Sequence, residues 1–231
     1  MELTSTAGLA ELSTAEQLPA LRTHYLQAVH LGSGRAADRV VEAALDLKFT
    51  ANQLYLDIFQ PTAYEIGRLW QRNEFTVAQE HVATAIIERE MRDLHGYFQP
   101  QSACGRTLVL GCVEGELHRV GNRMVADFFE QAGWTVFTPD TAVSTETFVA
   151  MARDMNADLI GVTAQLVSHV PLVGELVRAL ERQGLGGIPV IAGGRPFVQH
   201  QELHPSLDVK FCAGDAAEAV RRANALFPER T

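Results

Sequence analysis

The sequence predicts an α/β chain in two parts. An N-terminal all-α four-helix bundle occupies residues 1–99, and a five-stranded parallel, doubly wound domain of Rossmann-like or flavodoxin-like type occupies residues 106–231. Three observations lead there. Apolar residues recur at helical spacing through the first hundred positions, which marks amphipathic helices packed on one another. Gln99-Pro-Gln-Ser-Ala-Cys-Gly105 then reads as a linker. After it, short apolar runs alternate with amphipathic stretches, the signature of parallel strands covered on both faces by helices.

In the first part, Ser13 and Glu16 have the spacing of a capping box, so the first helix starts beside them. Helical periodicity spans residues 18–31 and 35–47, with Gly32-Ser-Gly34 as the break. A longer pattern over residues 51–70 runs through Leu54, Ile58, Ile66 and Leu69 and contains Pro61, which removes a backbone donor and predicts a kink. Thr76 and Gln79 form a second capping box, and the helix behind it passes through Val82, Ile86 and Met91. In the second part, strands are predicted over residues 107–113, 135–138, 159–163, 189–192 and 209–213, each followed by a helical pattern.

Composition excludes several classes of function. A net charge of −9 and a pI near 5.3 argue against direct nucleic-acid binding, which draws on clustered Lys and Arg. Cys104, Cys112 and Cys212 are odd in number and include no Cys-x-x-Cys pair, so neither a disulfide framework nor a zinc ribbon is expected. The N-terminal residues lack a secretory pattern, and the chain has no run of eighteen apolar residues. The expectation is a soluble cytoplasmic protein without a membrane partner.

Chemistry concentrates in Glu114-Gly-Glu-Leu-His-Arg-Val-Gly121, between the first strand and the helix after it. Loops at the carboxyl edge of such a sheet bind ligands. Two carboxylates, Glu114 and Glu116, would repel a phosphate, and the third strand ends in Thr163-Ala-Gln165 without the acids of a magnesium-binding receiver. His118 can act as a neutral-imidazole ligand, with Glu116 as acceptor for its other ring nitrogen. One histidine cannot hold a bare ion, but it can supply an axial ligand to a metal already held by a macrocycle.

Glu116-x-His118-x-x-Gly121 resembles the Asp-x-His-x-x-Gly signature of cobalamin-binding domains, with Glu in place of Asp. Gly193-Gly194 resembles their paired glycines, and Thr163-x-Gln165 stands where they have Ser-x-Leu. The resemblance implies that His118 ligates cobalt in place of the cofactor's own base, while the released nucleotide tail passes the glycines. Trp70, followed by Glu80-His81, further resembles the light-sensing cobalamin-binding domains of the CarH and LitR regulators, without their DNA-binding module. There the three residues cover the adenosyl group of adenosylcobalamin. Gln71 departs from the histidine that follows Trp in the best-known photoreceptors. His169, after the third strand, could cover the corrin edge, but as one of eight histidines it reads more readily as incidental.

The leading expectation is therefore a non-enzymatic adenosylcobalamin photoreceptor. Light would cleave the cobalt–carbon bond, rearrange the domains and signal to a protein partner or through homo-oligomerisation. The alternatives are a corrinoid carrier for methyl transfer and a light-independent cobalamin sensor or store.

Overall fold

The computed structural model describes residues 8–139, 142–200 and 206–227; the first residues, read above for a targeting signal, lie outside that set. The chain divides into two compact units, Met1–Phe98 and Gln99–Thr231.

The first unit is helical. Helix α1 (Thr14–His30) opens on the Ser13/Glu16 capping box, in which the Ser13 N–H donates to the Glu16 carboxylate at 3.0 Å. Helix α2 (Gly34–Asp46) follows the short Gly-Ser-Gly break. The third helical stretch opens on a further capping box, Thr50/Gln53. It begins as α3 (Ala51–Gln53), widens into a π-helical segment over Leu54–Phe59, and returns to α-helix as α4 (Gln60–Gln71). Helix α5 (Val77–Leu94) starts at the Thr76/Gln79 box.

The π-segment stands immediately before Pro61, where the sequence predicts a kink. Proline has no N–H to offer the carbonyl four residues back, which belongs to Asp57, and that carbonyl accepts instead from Arg22 Nε at 2.7 Å. The helix thus absorbs the proline by widening. The unit's core gathers Leu21, Tyr25, Leu54, Tyr55, Ile58, Phe59, Ile87 and Met91, all essentially inaccessible. Within it, Tyr25 and Phe59 stack at 5.0 Å and the Tyr55 hydroxyl donates to the Met91 carbonyl at 2.8 Å.

The second unit is a five-stranded, wholly parallel sheet in the order β2-β1-β3-β4-β5. Its strands are β1 (Thr107–Cys112), β2 (Thr135–Phe137), β3 (Leu159–Thr163), β4 (Val190–Gly193) and β5 (Phe211–Ala213). Helices α6 (Val120–Gln131), α7 (Thr145–Asp154), α8 (Val170–Arg182), α9 (Arg195–Gln199) and α10 (Ala216–Leu226) follow them in turn. Strand residues alternate between faces, as the pleat requires. Val109, Ile160, Val162 and Ala192 join the core that includes Phe148, Val173 and Leu176. Leu108, Leu110, Leu159 and Ile191 join Ala126, Phe129, Ala219 and Ala223 on the other face.

Chain direction across the sheet reverses between β1 and β3. The crevice outside their carboxyl ends is the switch point at which open α/β sheets take up ligands. Among the described residues, no helix is long and apolar enough to cross a membrane.

Candidate functional site

The β1–α6 loop begins with a tight turn in which Gly115 adopts φ 78° and the Glu116 N–H bonds back to the Val113 carbonyl at 3.0 Å. That turn aims the Glu116 side chain inward, where it is fully buried. One carboxylate oxygen accepts from the His118 N–H at 3.0 Å and pairs with His118 Nδ1 at 2.5 Å. The other accepts from the Gln165 N–H at 2.7 Å and pairs with His169 Nδ1 at 3.0 Å. Glu116 thereby ties the loop after β1 to the loop after β3 across the switch point.

Burial alone would push the Glu116 carboxyl up. Hydrogen bonds from the His118 ring, the Gln165 and His118 N–H groups and His169 outweigh it and bring the carboxyl down to about 2. Glu116 is therefore an anion at neutral pH and only accepts hydrogen bonds, so both imidazoles carry a proton on Nδ1. Neutral His118 then has its lone pair on Nε2, on a side chain 46% exposed. A carboxylate that orients an imidazole through Nδ1 and raises its basicity is the usual support of a metal-ligating histidine.

Cys112, below the loop, is not a competing ligand. Burial pushes its thiol up and outweighs the opposite pull of Thr163, whose Oγ1 donates to the sulfur at 3.2 Å, so the sulfur remains a neutral thiol. Among the described residues His118 belongs to no group of three or more side chains able to share an ion. This donor set suits one axial position on a metal held by other atoms and does not suit a bare ion.

The remaining predicted residues of the sheet unit lie around the same crevice. A Cβ on Gly121 would sit 3.2 Å from Gln165 Nε2, so the glycine lets α6 and the β3 loop approach each other. Thr163 donates its hydroxyl to Cys112, its partner in the β1–β3 register, which leaves the oxygen its acceptor capacity. Gln165 accepts the Arg195 N–H at 3.2 Å, joining the β3 and β4 loops.

The two glycines differ. Gly194 has φ 115°, and a Cβ there would lie 2.0 Å from the Ala164 carbonyl oxygen, so the chain itself requires that glycine. Gly193 has nothing nearer than the Ala213 carbonyl oxygen at 4.0 Å, so the fold itself would accommodate a Cβ there.

Trp70, Glu80 and His81 belong to the helical unit. Trp70 lies in the last turn of α4 with 39% of its surface exposed. Glu80 lies in the first turn of α5, accepts from Thr84 Oγ1 at 2.9 Å and pairs with the exposed His81 ring. His169 is the residue whose place the sequence left open. Its position follows from a short turn, Val167–His169, that makes it the residue before α8.

Residues 106–223 match a family model described as B12 binding domain, and residues 21–94 match a second model of that description. The chain is 30% identical over 167 residues to the dimethylamine corrinoid protein of Methanosarcina barkeri, spanning 71% of this chain and 77% of that protein. It is 27% identical over 166 residues to dimethylamine corrinoid protein 1 of Methanosarcina acetivorans, with the same two coverages. In fold it is similar to the solved monomethylamine corrinoid protein of Methanosarcina barkeri, with a TM-score of 0.80 over 90% of this chain and 99% of that one, at 17% identity.

Proposed function

The chain belongs to the B12 binding domain family, and on that premise we propose that it is a corrinoid carrier for methyl transfer and not itself an enzyme, with His118 as the lower axial ligand to cobalt. The observation that carries this reading is the pairing of half-exposed His118 with the buried, ionised Glu116 at the switch point. The relatives named as dimethylamine corrinoid proteins, similar along 71% of the chain, support transfer of a methyl group over sensing of light.

When bound, a corrinoid supplies a cobalt centre able to carry a one-carbon group. The protein's share is positional. Glu116 fixes the tautomer and direction of His118, Gly193 leaves backbone open to close approach, and Gln165 ties the rim of the crevice together. Partners of a carrier are the enzymes that load and unload it, which would be methyltransferases in the cytoplasm.

A second reading, an adenosylcobalamin light sensor acting on a protein partner or a second copy, is favoured by one specific feature. Trp70 is exposed and Glu80 pairs with His81, residue types suited to covering a nucleoside. Titration of apoprotein with methylcobalamin and adenosylcobalamin, in the dark and after green light, separates the two. A carrier binds the methyl form at least as tightly and keeps the same hydrodynamic radius on illumination. A preference of tenfold or more for the adenosyl form, about 1.4 kcal/mol, together with a light-dependent change in radius, would overturn it.

A further inference from the structure

In addition to the ligand pair, a second histidine holds the same carboxylate. His169 Nδ1 lies 3.0 Å from the Glu116 oxygen that does not face His118, and the His169 side chain is only 20% exposed. Thr163, the hydroxyl residue at the end of β3, does not reach Glu116, because its Oγ1 is turned to the Cys112 sulfur. The outer oxygen of the carboxylate is therefore held by one fixed backbone N–H, that of Gln165, and one side chain, His169.

A Glu side chain has one more rotatable bond than an Asp, and while its inner oxygen takes both donors from His118, the residue to be positioned, its outer oxygen has one backbone donor, the Gln165 N–H. A second donor, on an independently anchored residue, fixes the plane of the carboxylate. The His169 N–H bonds to the Leu166 carbonyl at 3.0 Å, and the residue immediately precedes α8, so its backbone is set by the turn and the helix together.

We propose that His169 is a positioning residue, which holds the Glu116 carboxylate so that His118 presents Nε2 to cobalt. The proposal rests on the assignment of His118 as axial ligand. It also gives His169 a defined place in the site, with its Nδ1 committed to the carboxylate.

The test uses the full chain labelled with ¹⁵N-histidine and loaded with cob(II)alamin of natural abundance. The paramagnetic spectrum then reports whether the axial nitrogen is the protein's, seen as a ¹⁵N doublet, or the cofactor's own base, seen as a ¹⁴N triplet. Parent protein should give the doublet and His118→Ala should lose it. A parent triplet would overturn the ligand assignment and the proposal with it.

With the parent doublet in place, His169→Ala should convert a substantial fraction of the signal to the triplet and weaken cobalamin binding by about tenfold or more, as loss of a supporting partner does at metal sites. His169→Asn, whose amide nitrogen can occupy the Nδ1 position, should restore the doublet. If His169→Ala keeps the parent doublet and affinity, or if the Asn and Ala variants are equally impaired, His169 does not position Glu116, while the assignment of His118 stands.

Discussion

Replacing Glu116 by Gln tests the centre of the site without any cofactor. Gln keeps the shape but loses the charge, and it puts an NH2 group where one pair of donors now points. In the parent the carboxyl falls from 4.5 to about 2, a drop worth on the order of 3 kcal/mol in favour of the folded anion. Because the folded value lies below the unfolded one, the contribution is complete above pH 4.5 and is lost as the pH falls through about 2. Apoprotein should therefore be more stable than Glu116→Gln by roughly 2–3 kcal/mol at pH 7, and most of that gap should close by pH 3. Urea unfolding read by Trp134, buried in the sheet unit, in a Trp70→Phe background measures it. Equal stabilities at pH 7, or a gap of the same size at pH 3, would refute the description of Glu116 as a buried anion held by its donors.

Three further outcomes are expected. Gly194→Ala should cost roughly 3 kcal/mol or more, since its Cβ would meet the Ala164 carbonyl at 2.0 Å, whereas Gly193→Ala should fold normally and, if bare backbone there meets the cofactor, weaken only cobalamin binding; chemical denaturation and titration compare the two. In the helical unit, burial and the neighbouring Asp38 push the Glu90 carboxyl up to about 7 against the pull of Arg89, so its folded form is favoured below pH 4.5 and penalised as the pH rises through 7. Glu90→Gln should match the parent near pH 4.5 and exceed it by up to about 3 kcal/mol at pH 8.5, read from helix ellipticity in urea. Trp70→Ala should weaken methylcobalamin and adenosylcobalamin binding by similar factors in a carrier, and a loss confined to the adenosyl form would favour the light-sensing alternative.

What could be read in the sequence divides by range. Capping boxes at Ser13 and Thr76 are local patterns, and they open α1 and α5 in the structure. The Thr50/Gln53 box is of the same kind and was open to the same reading. The π-segment ahead of Pro61 was not legible, because an apolar stripe looks alike at either helical period and the rescue of the Asp57 carbonyl comes from Arg22 on another helix. The doubly wound parallel sheet was legible from the alternation of apolar runs and helical stretches, whereas the order β2-β1-β3-β4-β5, which sets the switch point, depends on pairing between distant strands.

The site divides in the same way. Glu116 and His118 are two residues apart, and their pairing could be inferred from spacing. The bonds from Glu116 to Gln165 and His169 join positions 49 and 53 residues apart, and they exist because β1 and β3 are neighbours whose loops meet above the sheet. The same register sets Thr163 beside Cys112 and takes its hydroxyl away from the carboxylate. The Glu116 side chain meets the β3 loop at the Gln165 N–H and at His169 Nδ1, so the surroundings that keep it an anion come from a distant stretch of chain and could not be interpreted from its own.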